Sequence, residues 1–260
     1  MQTANKTIDE LDSYGKTLHQ KLFGLGIPSN PDTKSRAEVT SILRSANEFM
    51  TRKAFDYLNE HPFSGNKAKS LFCKKTDVLV TTVFELVHYR FHPLPSRSKS
   101  QSLSLVAIGG YGRGEMAPYS DVDLLFLSPH RQTGWAKSVI ESILYILWDL
   151  KFKVGHSSRT ISDCVQLGLD DLTIRTSMLE KRYLSGNKDL FKELETALKR
   201  KVFAKKASNF VEGKLSERAQ RHLKHANARY MLEPNIKEGK GGLRDLHTLY
   251  WISKYIYKTD

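Results

Sequence analysis

Two cysteines in 260 residues, Cys73 and Cys164, are too few for a disulfide framework and form no Cys-x-x-Cys metal pair. They suit a reducing cytosol as ordinary packed residues. Long apolar runs are missing too. Met1 to Glu10 contain no hydrophobic stretch of the kind a secretion signal needs, and no run approaches the length of a membrane span. These absences predict a soluble, cytoplasmic chain with no membrane partner. Acidic residues are scarce: 28 Asp and Glu stand against 41 Lys and Arg, a formal charge of +13. Such an excess points to acidic partners, namely nucleotides, nucleic acid or an acidic protein surface. The basic residues are spread over helical segments rather than gathered in one block, so part of the excess is solvated surface. A chain of this length can bury a sizeable core in one large or two small domains.

Against that background one stretch is rich in glycine and apolar residues. Leu103 to Ile108 is a short, partly β-branched run of strand length. Glycines at 109, 110, 112 and 114 interrupt the pattern, which resumes as Val122-Asp123-Leu124-Leu125-Phe126-Leu127. This reads as strand, glycine turn, strand. Asp121 and Asp123 stand two apart at the start of the second strand, so the two-residue repeat points both carboxylates to one face. Converging carboxylates repel unless a cation sits between them, and carboxylates with substrate phosphates are how Mg²⁺ is usually held. Glycines let the backbone approach a ligand and turn N–H groups toward an anion. Two better-known glycine loops do not fit. A phosphate loop needs Lys-Ser/Thr after its last glycine, where Glu115-Met116 follow; the dinucleotide fingerprint would need glycine at 115.

Elsewhere the pattern is mostly helical. Residues 1–33 are polar and end in a loop around Pro28 and Pro31. Apolar residues from Val39 to Leu58 recur at helical spacing up to His61-Pro62, and a second helix covers Lys69 to Tyr89. His88 and His92 are four apart at its end, but Pro93 and Pro95 argue for a plain helix terminus. Ser96 to Ser102 reads as a polar linker. Gly134 to Leu150 is an amphipathic or buried helix, Phe152 to Thr160 a third strand, and Met178 to Leu184 strand-like. Asp189 to Tyr230 is helical and basic, with His222 and His225 read as surface residues. Glycines at 239, 241 and 242 precede a helix starting near Leu243, among Lys237, Lys240 and Arg244. That arrangement is either an anion site at a helix start or a tight connection with solvated charges. Division by pattern gives an N-terminal helical segment (1–68), a sheet-bearing domain (69–190) and a helical segment (191–260).

Strand, Gly-Gly, about ten residues, then Asp-x-Asp is similar to the nucleotidyltransferase superfamily signature. The uninterrupted run from Gly109 to Leu127 more narrowly resembles the transferase domain of the bacterial PII-protein uridylyltransferase/uridylyl-removing enzymes. Val154 to Thr160 resembles that family's Val-Gly-His-Ser-Val-Arg-Thr strand. Glu233 to Leu246 resembles its Pro-Asn-Ile-Lys-Glu-Gly-x-Gly-Gly-Leu-Arg-Asp-Leu segment.

The resemblance implies an α+β fold, a small mixed sheet flanked by helices, and transfer of UMP from UTP to a tyrosine of the PII signalling protein with Mg²⁺. It implies Asp121 and Asp123 as catalytic metal ligands and Gly109, Gly110, Gly112, Arg113 and Ser120 as contacts to the nucleotide. Superfamily members often add a third carboxylate on a neighbouring strand. Residues 152–160 contain none, which leaves Glu180, or Asp170 and Asp171, with Glu180 preferred; His156 is placed either near the nucleotide or in a structural hydrogen bond. No His-Asp dipeptide occurs, so the family's uridylyl-removing and small-molecule-sensing parts are not expected in these residues, which read as an amino-terminal piece. Two other readings fit less well: a fragment that binds nucleotide or PII without turnover, and a transferase acting on an RNA end. The last would suit the basic charge, but no RNA-recognition motif accompanies it.

Overall fold

The computed structural model describes residues 2–94, 102–130, 133–224, 233 and 235–258. The polar linker at 96–102 lies almost wholly outside them, as does His225. Three helices come first: α1 (Gln2–Gly24), α2 (Thr33–Glu60) and α3 (Gly65–Leu86). The second follows its periodicity. Val39, Leu43, Ala46, Met50, Ala54 and Tyr57 are buried at three- and four-residue steps, and Asp32 caps its start by accepting from Ser35 N at 2.8 Å. The first was not expected from its polar sequence. Its few apolar residues nevertheless fall on one face, and Leu11, Leu18 and Leu22 are buried. The third does not stop at the predicted terminus but passes into a π-helical turn, Val87–Phe91. That turn separates the two histidines: His88 packs edge-on against Trp135, while His92 Nε2 lies 2.9 Å from Ser142 Oγ. The two rings thus meet different neighbours, and burial pushes His88 down to about 4.

The chain continues through β1 (Ser104–Ala107), the short helical turn α4 (Gly109–Gly112), β2 (Val122–Ser128), α5 (Gly134–Asp149), β3 (Val154–Thr160), α6 (Ile161–Asp170), α7 (Leu172–Leu179), β4 (Arg182–Gly186), α8 (Lys188–Lys201), α9 (Ala207–Lys224) and α10 (Leu243–Tyr257). The four strands form one sheet in the order β3-β2-β1-β4. β1 pairs antiparallel with β2 and β4, whereas β2 and β3 run parallel, with α5 making the crossover that a parallel pair requires. The fold is α+β with a small mixed sheet, as expected.

Packing divides the chain into two compact units, 1–161 with 180–193, and 162–179 with 194–260. The pattern-based boundaries after 68 and 190 therefore differ from the packing. The physical reason is a shared core: Leu11, Val39, Leu43, Leu71, Leu79 and Phe84 from the first three helices join Leu105, Ala107, Val122, Leu124 and Phe126 from one face of the sheet. A helical segment whose apolar face is covered by the sheet is part of the sheet's domain. The second unit has its own small core, Leu179, Phe210, Trp251 and Tyr255, with Phe210 and Tyr255 stacked at 4.2 Å. Gly213 lets α9 approach α7 closely, since a Cβ there would lie 2.7 Å from Leu172 Cδ2.

Candidate active site

Asp123 is the second residue of β2, flanked by Val122 and Leu124, both fully buried in the helical core. Alternation along the strand therefore turns its carboxylate to the opposite face of the sheet. Asp121 immediately precedes the strand, exposed, at the matching parity. One exposed and one half-buried carboxylate therefore stand two residues apart at the start of β2.

Two glycines make room for Asp123. The parallel register sets Gly155 of β3 directly opposite it, and a Cβ at 155 would lie 2.4 Å from Asp123 Oδ1. On the other side Gly109 has φ +61°, a left-handed conformation that glycine adopts without strain, and a Cβ there would lie 2.9 Å from Asp123 Oδ2. One carboxylate is thus held between two residues without side chains. The sequence marks both glycines, but nothing local to Gly155 says that it faces Asp123, because only strand pairing creates the juxtaposition.

The turn between β1 and β2 is more structured than a hairpin loop. Ile108 N donates to Asp123 O at 3.1 Å, and the helical bonds of α4 begin with Gly112 N to Ile108 O and Arg113 N to Gly109 O. The N–H groups of Gly109, Gly110 and Tyr111 precede the first of these bonds, as at any helix start. Gly112 has another duty. It is buried, and a Cβ would lie 1.8 Å from the Glu180 carbonyl oxygen and 2.9 Å from that of Ala107. Its space is filled by the backbone leading into β4.

Ser120 closes the following turn. Its Oγ accepts from Ala117 N at 3.0 Å, and its N–H donates to Ala117 O at 3.2 Å, with Tyr119 exposed at φ +66°. Val122 N then donates to Lys153 O at 2.8 Å, which fixes where β2 begins and so where the two carboxylates stand.

Arg113 and Glu180 are brought together, but with each other. The Arg113 guanidinium contacts the Glu180 carboxylate and donates through Nε to Glu115 Oε2 at 2.9 Å. Lys69 Nζ reaches Glu115 Oε1 at 2.9 Å. Burial opposes the charge on Arg113, but the two carboxylates outweigh it and raise its pKa further. Burial would likewise raise Glu115, yet the bonds from Lys69 and Arg113 hold it below its ordinary value. This network ties α3, the glycine turn and the approach to β4 into one support.

Glu180 itself lies in the connection between α7 and β4 rather than within the strand that Met178 to Leu184 predicts. Among the described residues no group of three or more His, Cys, Asp or Glu side chains forms a metal site, so the structure does not gather Glu180 with Asp121 and Asp123. Asp170 accepts from Gln166 Nε2, and Asp171 accepts from Ile174 N at the start of α7. His156 pairs in register with Leu124, on the face away from Asp123.

The glycine-flanked start of α10 is filled from within. Asp245 Oδ2 accepts from Gly241 N at 2.8 Å, and the same carboxylate binds His222 Nε2, Arg218 and Arg221. Burial would raise Asp245, but those donors hold it down to about 2. The anion that this helix start attracts is the chain's own carboxylate. His222, expected at the surface, is its partner.

A half-buried carboxylate in a glycine cradle, an exposed carboxylate beside it and a glycine turn at the strand ends form a donor set of hard oxygens. Mg²⁺ is bound through one or two carboxylates plus substrate phosphates rather than by an all-protein cage, so two carboxylates suffice for it. The residues present fit such an ion.

Comparison with known proteins agrees with this geometry. A model described as a nucleotidyltransferase domain matches residues 95–183, and one described as GlnD PII-uridylyltransferase matches residues 209–260. Three relatives share the printed name bifunctional uridylyltransferase/uridylyl-removing enzyme. The one from Ruegeria pomeroyi is 49% identical over 223 residues, 86% of this chain and 24% of its own length. Those from Cereibacter sphaeroides and Novosphingobium aromaticivorans are 55% and 44% identical, over 70% and 86% of this chain and 20% and 25% of their own lengths. The chain thus spans about a quarter of the length of the curated relatives it matches. Identity at this level over most of the chain, with the Asp-x-Asp pair inside the matched transferase domain, places it in the family of bifunctional uridylyltransferase/uridylyl-removing enzymes.

Proposed function

We propose that this chain transfers UMP from UTP to a tyrosine of a PII protein, releasing pyrophosphate. The observation that carries the reading is Asp123, cradled by Gly109 and Gly155 two residues after Asp121, in a chain so similar to uridylyltransferases. Asp121 and Asp123 would hold Mg²⁺, which supplies charge neutralisation on the triphosphate. The backbone at Gly109 and Gly110 accommodates the β- and γ-phosphates closely because no side chain intervenes. Ser120 supports this from the second turn by fixing the approach to Asp121. Arg113, held by Glu115 and Glu180, sets the glycine turn and adds positive charge behind it. Glu180 then acts through Arg113 rather than as a third ligand.

The tyrosine oxygen forms a bond to the α-phosphorus as the bond from that phosphorus to the β-bridging oxygen breaks, and pyrophosphate leaves. The phenolic proton passes to a carboxylate of the pair or to solvent. Such transfers depend mainly on positioning and electrostatic stabilisation.

The test supplies the 260-residue chain with Mg²⁺, PII protein and each α-labelled nucleoside triphosphate in turn. Label should reach PII from UTP alone, and Asp123→Asn or Asp121→Asn should lower transfer by roughly 100-fold or more without altering the melting temperature. Full activity in either variant sinks the two-carboxylate mechanism. Label on an RNA end instead of PII, lost steeply with added salt, would move the chain to a different acceptor.

A further inference from the structure

Beneath the segment Met116–Ser120, between that segment and residues of the helical core, a cavity of about 260 Å³ opens. It is smaller than the roughly 300–1,000 Å³ typical of sites for drug-sized ligands, so it suits a compact molecule. Four aromatic rings line it, those of Phe55, Phe72, Tyr119 and Phe152. So do Lys75, Lys151 and Lys153, and its described lining contains no Asp or Glu.

Lys75 is the unusual member. It is nine-tenths buried on α3, a position that cationic side chains rarely occupy without a counter-charge. Its ammonium donates to Asn47 Oδ1 at 2.9 Å and Thr51 Oγ1 at 2.8 Å, both neutral acceptors, and lies 5.4 Å from the centre of the Phe152 ring. Asn47 is itself anchored to Leu150 O. An ammonium carries three donors, so these two bonds leave one to serve a further acceptor. The reaction proposed above uses Ser120 from this lining but neither Lys75 nor its partners.

We infer that this cavity is a binding site for a small planar organic anion, such as an aromatic carboxylate, whose charge meets Lys75 and whose ring packs among Phe55, Phe72 and Phe152. A neutral ligand of the same shape would leave the buried ammonium uncompensated, and a bare inorganic anion would leave the rings unfilled. Met116 to Ser120 form one wall and lead directly into Asp121, so occupation also fixes the segment that precedes the acidic pair. The inference stands on this cavity alone and survives if the acceptor or nucleotide proposed above is wrong.

Burial holds Lys75 down to about 8, from an ordinary value of 10.5. A bound anion favours the charged amine, so binding at a pH between those two values must draw a proton onto it. Titration calorimetry of the whole chain with sodium benzoate, benzamide and inorganic phosphate, in buffers of different ionisation enthalpy, reads both affinity and proton uptake. Benzoate should bind with proton uptake, benzamide and phosphate should bind at least roughly tenfold more weakly, and Lys75→Met should weaken benzoate by roughly tenfold or more. Equal binding of benzoate and benzamide, undiminished binding by Lys75→Met, or no benzoate binding would overturn the inference. Displacement of benzoate by UTP would do so too, because the cavity would then belong to the nucleotide. If Lys75→Met does not fold, proton uptake by the unaltered chain decides the matter.

Discussion

The Asp123 carboxylate has room only because its two neighbours lack side chains. Its oxygens lie where Cβ atoms of Gly109 and Gly155 would otherwise stand, one on each side. A methyl group at 155 would displace a carboxylate from close range, and geometry at a reacting centre is worth a great deal: errors of about 1 Å can cost about 100-fold. Gly155→Ala should therefore lower UMP transfer by roughly 10- to 100-fold while the melting temperature stays nearly constant, since residue 155 is exposed on an edge strand. A variant with unchanged transfer would show that Asp123 tolerates another rotamer.

At the scale of elements, the glycine turn and the start of α10 use glycine for different ends. Gly112 lets α4 sit on the carbonyl of Glu180, and the contact is with backbone, which cannot swing aside. Overpacking of this kind typically costs about 1–3 kcal/mol. Gly112→Ala should cost about that much in chemical denaturation, in contrast to Gly114→Ser, where the space is open but the φ of +74° is strained. At α10 the glycines bring N–H groups to Asp245. Its folded carboxyl, at about 2, lies below its ordinary 3.8, so its stabilising contribution is complete above about pH 4 and is lost as pH falls toward 2. Amide exchange at Gly241 should accelerate across that window, and Asp245→Asn should remove the acid limb of the profile. An identical acid limb in the variant would assign the effect to other carboxylates.

For the whole molecule, the first helix matters more than its polar sequence implies. α1 contributes Leu11, Leu18 and Leu22 to the core that also holds Leu105, Leu124 and Phe126 of the sheet. Each fully buried leucine is worth about 1.5–3 kcal/mol. Deleting residues 1–24 should lower the melting temperature of the sheet-bearing unit by many degrees, and saturating UTP should not restore it. A truncated chain that melts normally would show that the helix is an accessory. Total stabilities of domains are only about 5–15 kcal/mol, so a loss of this size is decisive.

Much of this was legible in the residues themselves. Alternation turns Asp123 away from Val122 and Leu124, because the period of a strand is a local property of the backbone. The periodicity of α2, the strand and glycine pattern of residues 103–127 and the mixed α+β class likewise follow from short-range rules. Tertiary structure decided the rest. Three leucines in a polar stretch do not announce a buried face until a core exists to cover them. Gly155 becomes part of the site only through the parallel pairing of β3 with β2, thirty-two residues from Asp123. The sequence offered Arg113 and Glu180 as a phosphate contact and a metal ligand, and packing joined them to each other, since opposite charges entering the same buried space pair there first. The glycines and charges at the start of α10 leave open an anion site or a tight connection, and long-range folding supplied the anion as Asp245. Local periodicity fixes which way a side chain points; only the folded chain fixes what it meets.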